Sequence, residues 1–331
     1  MACVLITGGA GYIGSHVLME LSGSGHEVVV IDNLSTGHRN FVPESIPLVE
    51  GDVGDQQVVL DTLRTYGVTD VVHCAASLRV DESMRDPGKY WRNNVAASVS
   101  LVEACVEAEV QRFVFSSTAA VYGEGEGRPV TESYPPRPAN VYGNTKRAVE
   151  MMLADMCRAS GMKSVALRYF NVAGADPAGR LGASPSAEPS LIRIVCQAAL
   201  GARREVSIFG TDYQTRDGTA VRDYVHVCDL AEAHAVLLES LDDEPPGTAI
   251  AVNCGYGGGI TVREVIDSAY RVSGRAFPVR EAARRPGDVA AMVADTQLLR
   301  GRYNWVPKHA RLEQIIADTL SWERKLLVGA I

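Results

Sequence analysis

No block of lysines and arginines occurs in the 331 residues, and the formal net charge is -8. A general nucleic-acid surface needs clustered cations, so no nucleic-acid partner is expected, although an acidic total leaves room for a few arginines binding a phosphate in a pocket. No apolar run approaches a membrane span, so no membrane partner is expected either. The start, Met1 to Thr7, runs directly into a glycine-rich turn without the basic stretch and long apolar core of a secretory signal. The seven cysteines (Cys3, Cys74, Cys105, Cys157, Cys196, Cys228, Cys254) are odd in number and never fall at C-x-x-C spacing. Most sit in apolar stretches, so the expectation is buried reduced thiols, no zinc or other metal, and a cytoplasmic protein. There is no internal repeat and no low-complexity tract. With 46% hydrophobic and 22% charged residues the chain reads as globular, with one large domain or two unequal ones.

What is present is alternation. Short β-branched or apolar runs occur at Val4-Leu5-Ile6, Val28 to Ile31, Leu48-Val49, Val71-Val72 and Phe113-Val114-Phe115, with helix-like segments such as Tyr12 to Ser22 and Asp86 to Ala108 between several of them. Such runs suit strands covered on both faces, which predicts an α/β fold with a Rossmann-like, doubly wound parallel sheet. Further strands are expected over Val165 to Phe170 and Ala249 to Asn253. Residues Ala173 to Pro189, rich in Gly, Ala, Ser and Pro, read as a long functional loop. Helices over Thr261 to Ser273 and Leu312 to Leu326, set among short strands, suggest a smaller mixed α/β domain. The expected division is 1–171 for a dinucleotide-binding domain, with 221–256 (strand, then helix) returning to its sheet, and 172–220 plus 257–331 for a substrate domain.

The turn Thr7-Gly8-Gly9-Ala10-Gly11-Tyr12-Ile13-Gly14 spaces its glycines G-x-x-G-x-x-G. Gly8 would permit the tight turn, Gly11 the approach of a pyrophosphate to the backbone, and Gly14 close helix packing on the sheet, with helix N–H groups facing the phosphates. Alone, the pattern also makes an ordinary structural turn. Here it follows a strand, opens a helix and is followed by a second strand ending at Asp32, 18 residues after Gly14. A carboxylate there can accept from the adenosine ribose hydroxyls and would repel the extra phosphate of NADP. Asp52 closes the third strand and could reach the adenine or simply make a turn.

Tyr142-Gly143-Asn144-Thr145-Lys146 puts a phenol and an ammonium at i and i+4 on one helical face. A free tyrosine, with a pKa near 10, is a poor base at neutral pH, and lowering it by about three units needs roughly 4 kcal/mol. A lysine ammonium and a cationic nicotinamide would both favour the phenolate. Y-x-x-x-K also arises by chance as a surface pair, but Phe113 to Thr118 ends a strand with three hydroxyls 24 residues earlier, where strand ends face the cofactor crevice.

Together these motifs resemble the extended short-chain dehydrogenase/reductases and, within them, the UDP-glucose 4-epimerase group, over nearly the whole length. The resemblance rests on Thr7 to His16, Asp32-Asn33-Leu34, Asn93-Asn94-Val95, Ser116 to Gly123, Tyr142 to Lys146, Arg168-Tyr169-Phe170-Asn171, Asp217-Gly218-Thr219 and Val221 to Val227. It implies Tyr142 as the base, Lys146 as its tuning cation and ribose ligand, and Thr118 as an aid at the sugar hydroxyl. It implies that NAD is held by Gly8, Gly11, Tyr12, Ile13, Gly14, Asp32, Asn33, Ser35, Thr36, Asp52, Val53, Cys74, Ala75, Ala76, Asn94, Ser116, Tyr142, Lys146, Tyr169 and Phe170. A UDP-sugar would meet Thr118, Tyr142, Asn171, Leu191, Ser207, Phe209, Arg222, Tyr224, Arg285 and Asp288. Physically, Phe209 suits a uracil slot and the two arginines a diphosphate.

Ala119 and Ala120 follow Thr118, where related sugar dehydratases need an acid and a base. Neither alanine can transfer a proton, which favours epimerisation. Three departures from the group stand out: Ser77-Leu78-Arg79-Val80 lacks its Gly-Leu-Lys, Ser190 replaces an Asn or His, and Met292 occupies a position linked to N-acetyl-sugar tolerance. The expectation is a 4-epimerase of UDP-glucose and UDP-galactose. The alternatives are a 4-epimerase of another UDP-sugar (UDP-N-acetylglucosamine or a UDP-pentose), a nucleotide-sugar oxidoreductase, and a non-catalytic NAD sensor. A homodimer is expected by the same resemblance, through helices over Asp86 to Ala108 and Val141 to Ser160, although those helices could equally pack on their own sheet.

Overall fold

A computed structural model describes residues 3–125, 128–185, 187, 189–285 and 288–329. In chain order the strands are β1 (Cys3–Thr7), β2 (Glu27–Asp32), β3 (Leu48–Glu50), β4 (Val68–His73), β5 (Arg112–Thr118), β6 (Lys163–Tyr169), β7 (Asn171–Ala173), β8 (Val206–Phe209), β9 (Val221–Arg222), β10 (Tyr224–His226), β11 (Ala249–Cys254), β12 (Ile260–Thr261), β13 (Val279–Ala282) and β14 (Ala291–Met292). The α-helices are α1 (Tyr12–Gly23), α2 (Gln56–Tyr66), α3 (Val80–Arg85), α4 (Pro87–Tyr90), α5 (Ala97–Glu107), α6 (Val141–Ser160), α7 (Leu191–Ala199), α8 (Val227–Ser240), α9 (Val262–Ser273), α10 (Gln297–Gly301) and α11 (Leu312–Leu327).

Seven strands make one parallel sheet in the order β11-β6-β5-β4-β1-β2-β3. Every residue of β1 is buried, which explains its unbroken apolar run: the sheet is covered on both faces. Val4, Ile6 and Val30 face α1 and α8, while Leu5, Val29 and Phe113 face α2, α5 and α6. The strand order reverses between β1 and β4, so the crevice beyond their C-terminal ends is where a ligand of this architecture sits.

The segment 86–108, expected as one helix, is α4 and α5 joined by a π-helical turn over Trp91–Ala96. A one-residue widening leaves the apolar spacing on either side intact, so periodicity does not reveal it. Of the stretch 221–256, α8 packs across α1 and β11 is the edge strand beside β6, whereas β9 and β10 pair outside the large sheet, with β12 and β14 and with β7 respectively. The second lobe has its own core, built from Ile192, Val195, Ile208, Val265, Ile266, Ile315 and Ile316, around α7, α9, α11 and the β8–β13 pair. Among residues 173–189, expected as a loop, the described ones lie in no helix or strand after Ala173, and Ser186 and Glu188 fall outside the described residues.

Candidate active site

The glycine turn connects β1 to α1 at the point where the strand order reverses. Gly8 has φ +69°, and a Cβ there would come within 2.7 Å of the Ala75 backbone nitrogen. A Cβ on Gly14 would lie 2.2 Å from the Gly8 carbonyl oxygen, so Gly14 lets α1 close on the turn itself. Gly11 caps α1 in an extended conformation and offers no side chain to its N–H groups. Asp32, at the end of β2, is buried and accepts the Ala10 N–H at 3.0 Å and the Leu34 N–H at 2.8 Å. Burial pushes its carboxyl up and these two donors pull it back. Asn33 donates to Asp52 at 3.0 Å and its side-chain oxygen accepts from Ser35, with exposed Ser35 and Thr36 and buried Val53 nearby in sequence. On the other side of the crevice Asn94, in the π turn, grips Ser77 twice, accepting its N–H and donating to its carbonyl, both at 2.8 Å. Ser77, one of the three departures, is therefore fixed by the backbone contact, and Leu78 and Val80 beyond it point outward.

Helix α6 starts where Asn140 accepts the Gly143 N–H at 2.8 Å, which places Tyr142 in its first turn. Tyr142 is buried, its backbone N–H donates to the Ser83 hydroxyl at 3.2 Å, and its phenol stands close to Thr118. Lys146, one turn on, donates to the Ser116 carbonyl at 2.8 Å and lies 4.7 Å above the Phe115 ring. Burial pushes the Tyr142 phenol up to about 12, with the nearby Thr118 hydroxyl pulling the other way, and lowers Lys146 to about 8. The protein alone thus raises the phenol pKa, opposite to the shift a base needs: desolvation outweighs the hydroxyl contact. Tyr169 also stands close, near Ser116, and burial raises its phenol well above the ordinary value. Cys74 bonds Ser116 at 3.2 Å and burial pushes its thiol up to about 11, so it stays protonated. Ala75 and Ala76 line the same edge, Ile13 is partly buried against the α1 side, and Phe170 is buried at the site's wall.

In the second lobe Phe209 ends β8 with its ring exposed, and the Arg285 guanidinium lies 4.8 Å from its centre. Asp288 ties Arg285, at 3.1 Å, to Arg222, at 2.9 Å. Phe209, Arg222, Arg285 and Asp288 therefore form one cluster, with Ser207 two residues before Phe209 and Asn171 joined to Asp223 beside Arg222. Leu191 opens α7, and Tyr224 is almost fully buried in the second-lobe core, where the nearby Arg222 charge acts on its phenol. Met292 packs with Ala119, Tyr122 and Phe170, between the two groups of residues.

The sequence pattern of the NAD dependent epimerase/dehydratase family matches residues 4–255. The chain belongs to that family. It is 50% identical to the UDP-glucose 4-epimerase of Azospirillum brasilense over 98% of its length and 92% of that protein's. A crystal structure of UDP-glucose 4-epimerase from Brucella ovis in complex with NAD matches with TM-score 0.93 and 43% identity, over 97% of this chain and 98% of that one. One from Stenotrophomonas maltophila with bound NAD and formylated UDP-arabinopyranose matches with TM-score 0.96 and 36% identity, over 99% and 100%.

The residues present suit the family's NAD. A Cβ at Gly11 would meet only the Gly8 oxygen, at 3.1 Å, so the space above the turn is open to a pyrophosphate facing uncapped helix N–H groups. Asp32 has lone pairs left for ribose hydroxyls after its two backbone bonds, and its charge disfavours a 2′-phosphate.

Outside the crevice, His226, His309 and Asp318 bring three possible ligand atoms within 4.8 Å of one another. His226 Nδ1 accepts the Cys228 N–H at 3.1 Å, which puts the ring proton on Nε2, facing Asp318 at 3.3 Å. That nitrogen is a donor, so the trio reads as a hydrogen-bonded chain rather than a metal centre. Sequence reasoning missed Ser83 at the Tyr142 backbone and the Glu150–Arg168 pair beneath α6. The only signal for the latter was Glu150 lying one more turn along from Tyr142 and Lys146.

Proposed function

We propose that this chain is a UDP-glucose 4-epimerase, interconverting UDP-galactose and UDP-glucose through a 4-keto sugar with bound NAD. The observation that carries the reading is a buried phenol, Tyr142, close to Thr118 and one turn from Lys146, at the strand ends facing the glycine turn. Tyr142 takes the proton of the sugar 4-hydroxyl and later returns it, while Thr118 holds the same oxygen. Bound NAD supplies a hydride acceptor and a positive ring charge. Bringing the phenol from about 12 to neutrality takes about 7 kcal/mol. At an effective dielectric of 20 a cation has to come within about 4 Å of the phenolate to contribute about 4 kcal/mol, so a single cation at that range is too weak and two are needed. Ala119 and Ala120 offer no proton for a dehydration. Phe209, Arg222, Arg285 and Asp288 grip the uridine diphosphate, with Asn171, Leu191, Ser207 and Tyr224 shaping that lobe. Binding energy then resides in the nucleotide, leaving the sugar free to turn over.

We assign 1–171, with 221–256, to NAD and the remainder to the UDP-sugar. We also infer a homodimer, because exposed Leu78, Val80, Met84, Trp91 and Met151 all lie on or beside α3, α4 and α6. A cytoplasmic setting suits seven unpaired cysteines, and among the described residues no helix is long and apolar enough to cross a membrane. The test is UDP-galactose deuterated at C4, incubated without added NAD. The epimerase forms UDP-glucose with the label retained. Label released into free NADH would make the chain an oxidoreductase, and no conversion of UDP-galactose, UDP-N-acetylgalactosamine or UDP-arabinose would leave a sensor.

A further inference from the structure

Glu150 lies one helical turn beyond Lys146 and two beyond Tyr142. Its carboxylate is almost fully buried and completely engaged: Arg168 donates through Nε at 2.9 Å and Nη2 at 2.6 Å, and the Ser117 hydroxyl donates at 2.5 Å. Ser117 and Arg168 are direct partners across the β5–β6 ladder, immediately before the Thr118–Tyr169 pair. Arg168 also donates to the Tyr122 hydroxyl at 3.0 Å and sits 5.0 Å from that ring's centre, and Tyr122 in turn donates to Asn253 on β11 at 2.7 Å. A single carboxylate therefore clamps the catalytic helix to the strand ends that carry Thr118 and Tyr169.

We propose that Glu150, held by Arg168 and Ser117, is a positioning residue that sets the Tyr142–Lys146 turn against Thr118 and supplies the negative charge that keeps Lys146 protonated. The proposal rests on the epimerase reading for its activity assay but not for its titration.

The groups facing Lys146 make Glu150 the decisive charge. From β4 come His73, held neutral by burial with a pKa of about 3, and Cys74, held protonated. From β6 comes Tyr169, protonated; behind Ser116 lies His234 of α8, neutral with a pKa of about 4; on its own helix is Tyr142. Burial draws Lys146 down to about 8, and the groups that act against it are Cys74 first and then Glu150; the Cys74 thiol, pushed up to about 11, is neutral where Lys146 titrates, which leaves Glu150 as the charge. Removing the Glu150 charge leaves Arg168 uncompensated, so Lys146 loses its proton at lower pH. Removing the Arg168 charge leaves the carboxylate uncompensated, so Lys146 keeps its proton to higher pH.

The test uses the NAD-loaded protein with Glu150→Gln, Arg168→Gln and the double variant Glu150→Met/Arg168→Met, which leaves no lone buried charge. With five lysines in the chain, [ε-13C]lysine labelling resolves Lys146 by NMR without any sugar substrate. The Lys146 midpoint should fall in Glu150→Gln and rise in Arg168→Gln, and the alkaline limb of kcat should move the same way. In the double variant kcat should drop about 10- to 100-fold with KM and NAD content nearly unchanged. Midpoints that stay put or move together, or a folded double variant with wild-type kcat, would overturn the proposal. An inactive wild-type protein whose lysine midpoints still move apart would instead fault the epimerase reading and leave the positioning charge standing.

Discussion

Replacing Gly14 by alanine tests the glycine turn most sharply, because the obstacle is entirely backbone. The new Cβ would lie 2.2 Å from the Gly8 oxygen, 2.8 Å from the Gly8 carbonyl carbon and 2.9 Å from the Gly9 Cα. No flexible side chain can move aside, so α1 must back away from the turn by about 1 Å to restore van der Waals separation. Overpacking of this kind costs about 1–3 kcal/mol, and the displaced N–H groups no longer meet the pyrophosphate. Gly23 is the internal control: it ends the same helix, and a Cβ there meets nothing within 4 Å. Gly23→Ala should leave stability unchanged or raise it by about 0.4–1 kcal/mol. The assay is NAD released on denaturing the purified proteins, together with urea unfolding. Gly14→Ala should arrive depleted of NAD and less stable, Gly23→Ala fully loaded. A Gly14→Ala protein with wild-type NAD content and stability would refute the reasoning.

Phe209→Ala should weaken inhibition by UDP at least tenfold while leaving NAD content intact, measured by competition; equal inhibition would remove Phe209 from the nucleotide site. Asp32→Ser should weaken NAD retention and narrow the preference for NAD over NADP, read from dialysis of the loaded protein. His16, His73 and His234 have folded pKa values near 4, 3 and 4, below the ordinary 6.5 because burial disfavours the charged ring. The unfolded chain binds their protons first, so stability is whole above about 6.5 and falls as pH drops towards 4, by up to about 1.4 kcal/mol per pH unit for each histidine. Urea midpoints at pH 7 and pH 5 check the sign; a higher midpoint at pH 5 would contradict it.

How far these features were legible depends on whether they are local. Strands β1, β2, β4, β5 and β6 announce themselves because burial on both faces demands apolar runs, and α6 because the apolar spacing along a helix is a short-range signal. The π turn at 91–96 was invisible: one extra residue per turn re-aims Asn94 towards Ser77 without disturbing the neighbouring apolar spacing. Tyr142, Lys146 and Thr118 could be placed by order along the chain, and the fold brings them to the same strand ends. The phenol's raised pKa could not be anticipated, since desolvation depends on how completely the fold closes over the ring. Nor could Glu150 and Arg168, 18 residues apart on a helix and a strand, be paired by any local pattern. Tyr224 packs into the second-lobe core, and the Arg222 charge two residues away still acts on its phenol.

The central claim is that one buried phenol does the proton transfer, and Tyr142→Phe measures it directly. The variant keeps the ring's packing and loses only the hydroxyl. Assayed with UDP-galactose beside the wild-type protein, it should hold a full complement of NAD and turn over at least a thousandfold more slowly, on the order of the general-base contribution. A Tyr142→Phe protein that still interconverts UDP-galactose and UDP-glucose within tenfold of the wild-type rate would contradict the account.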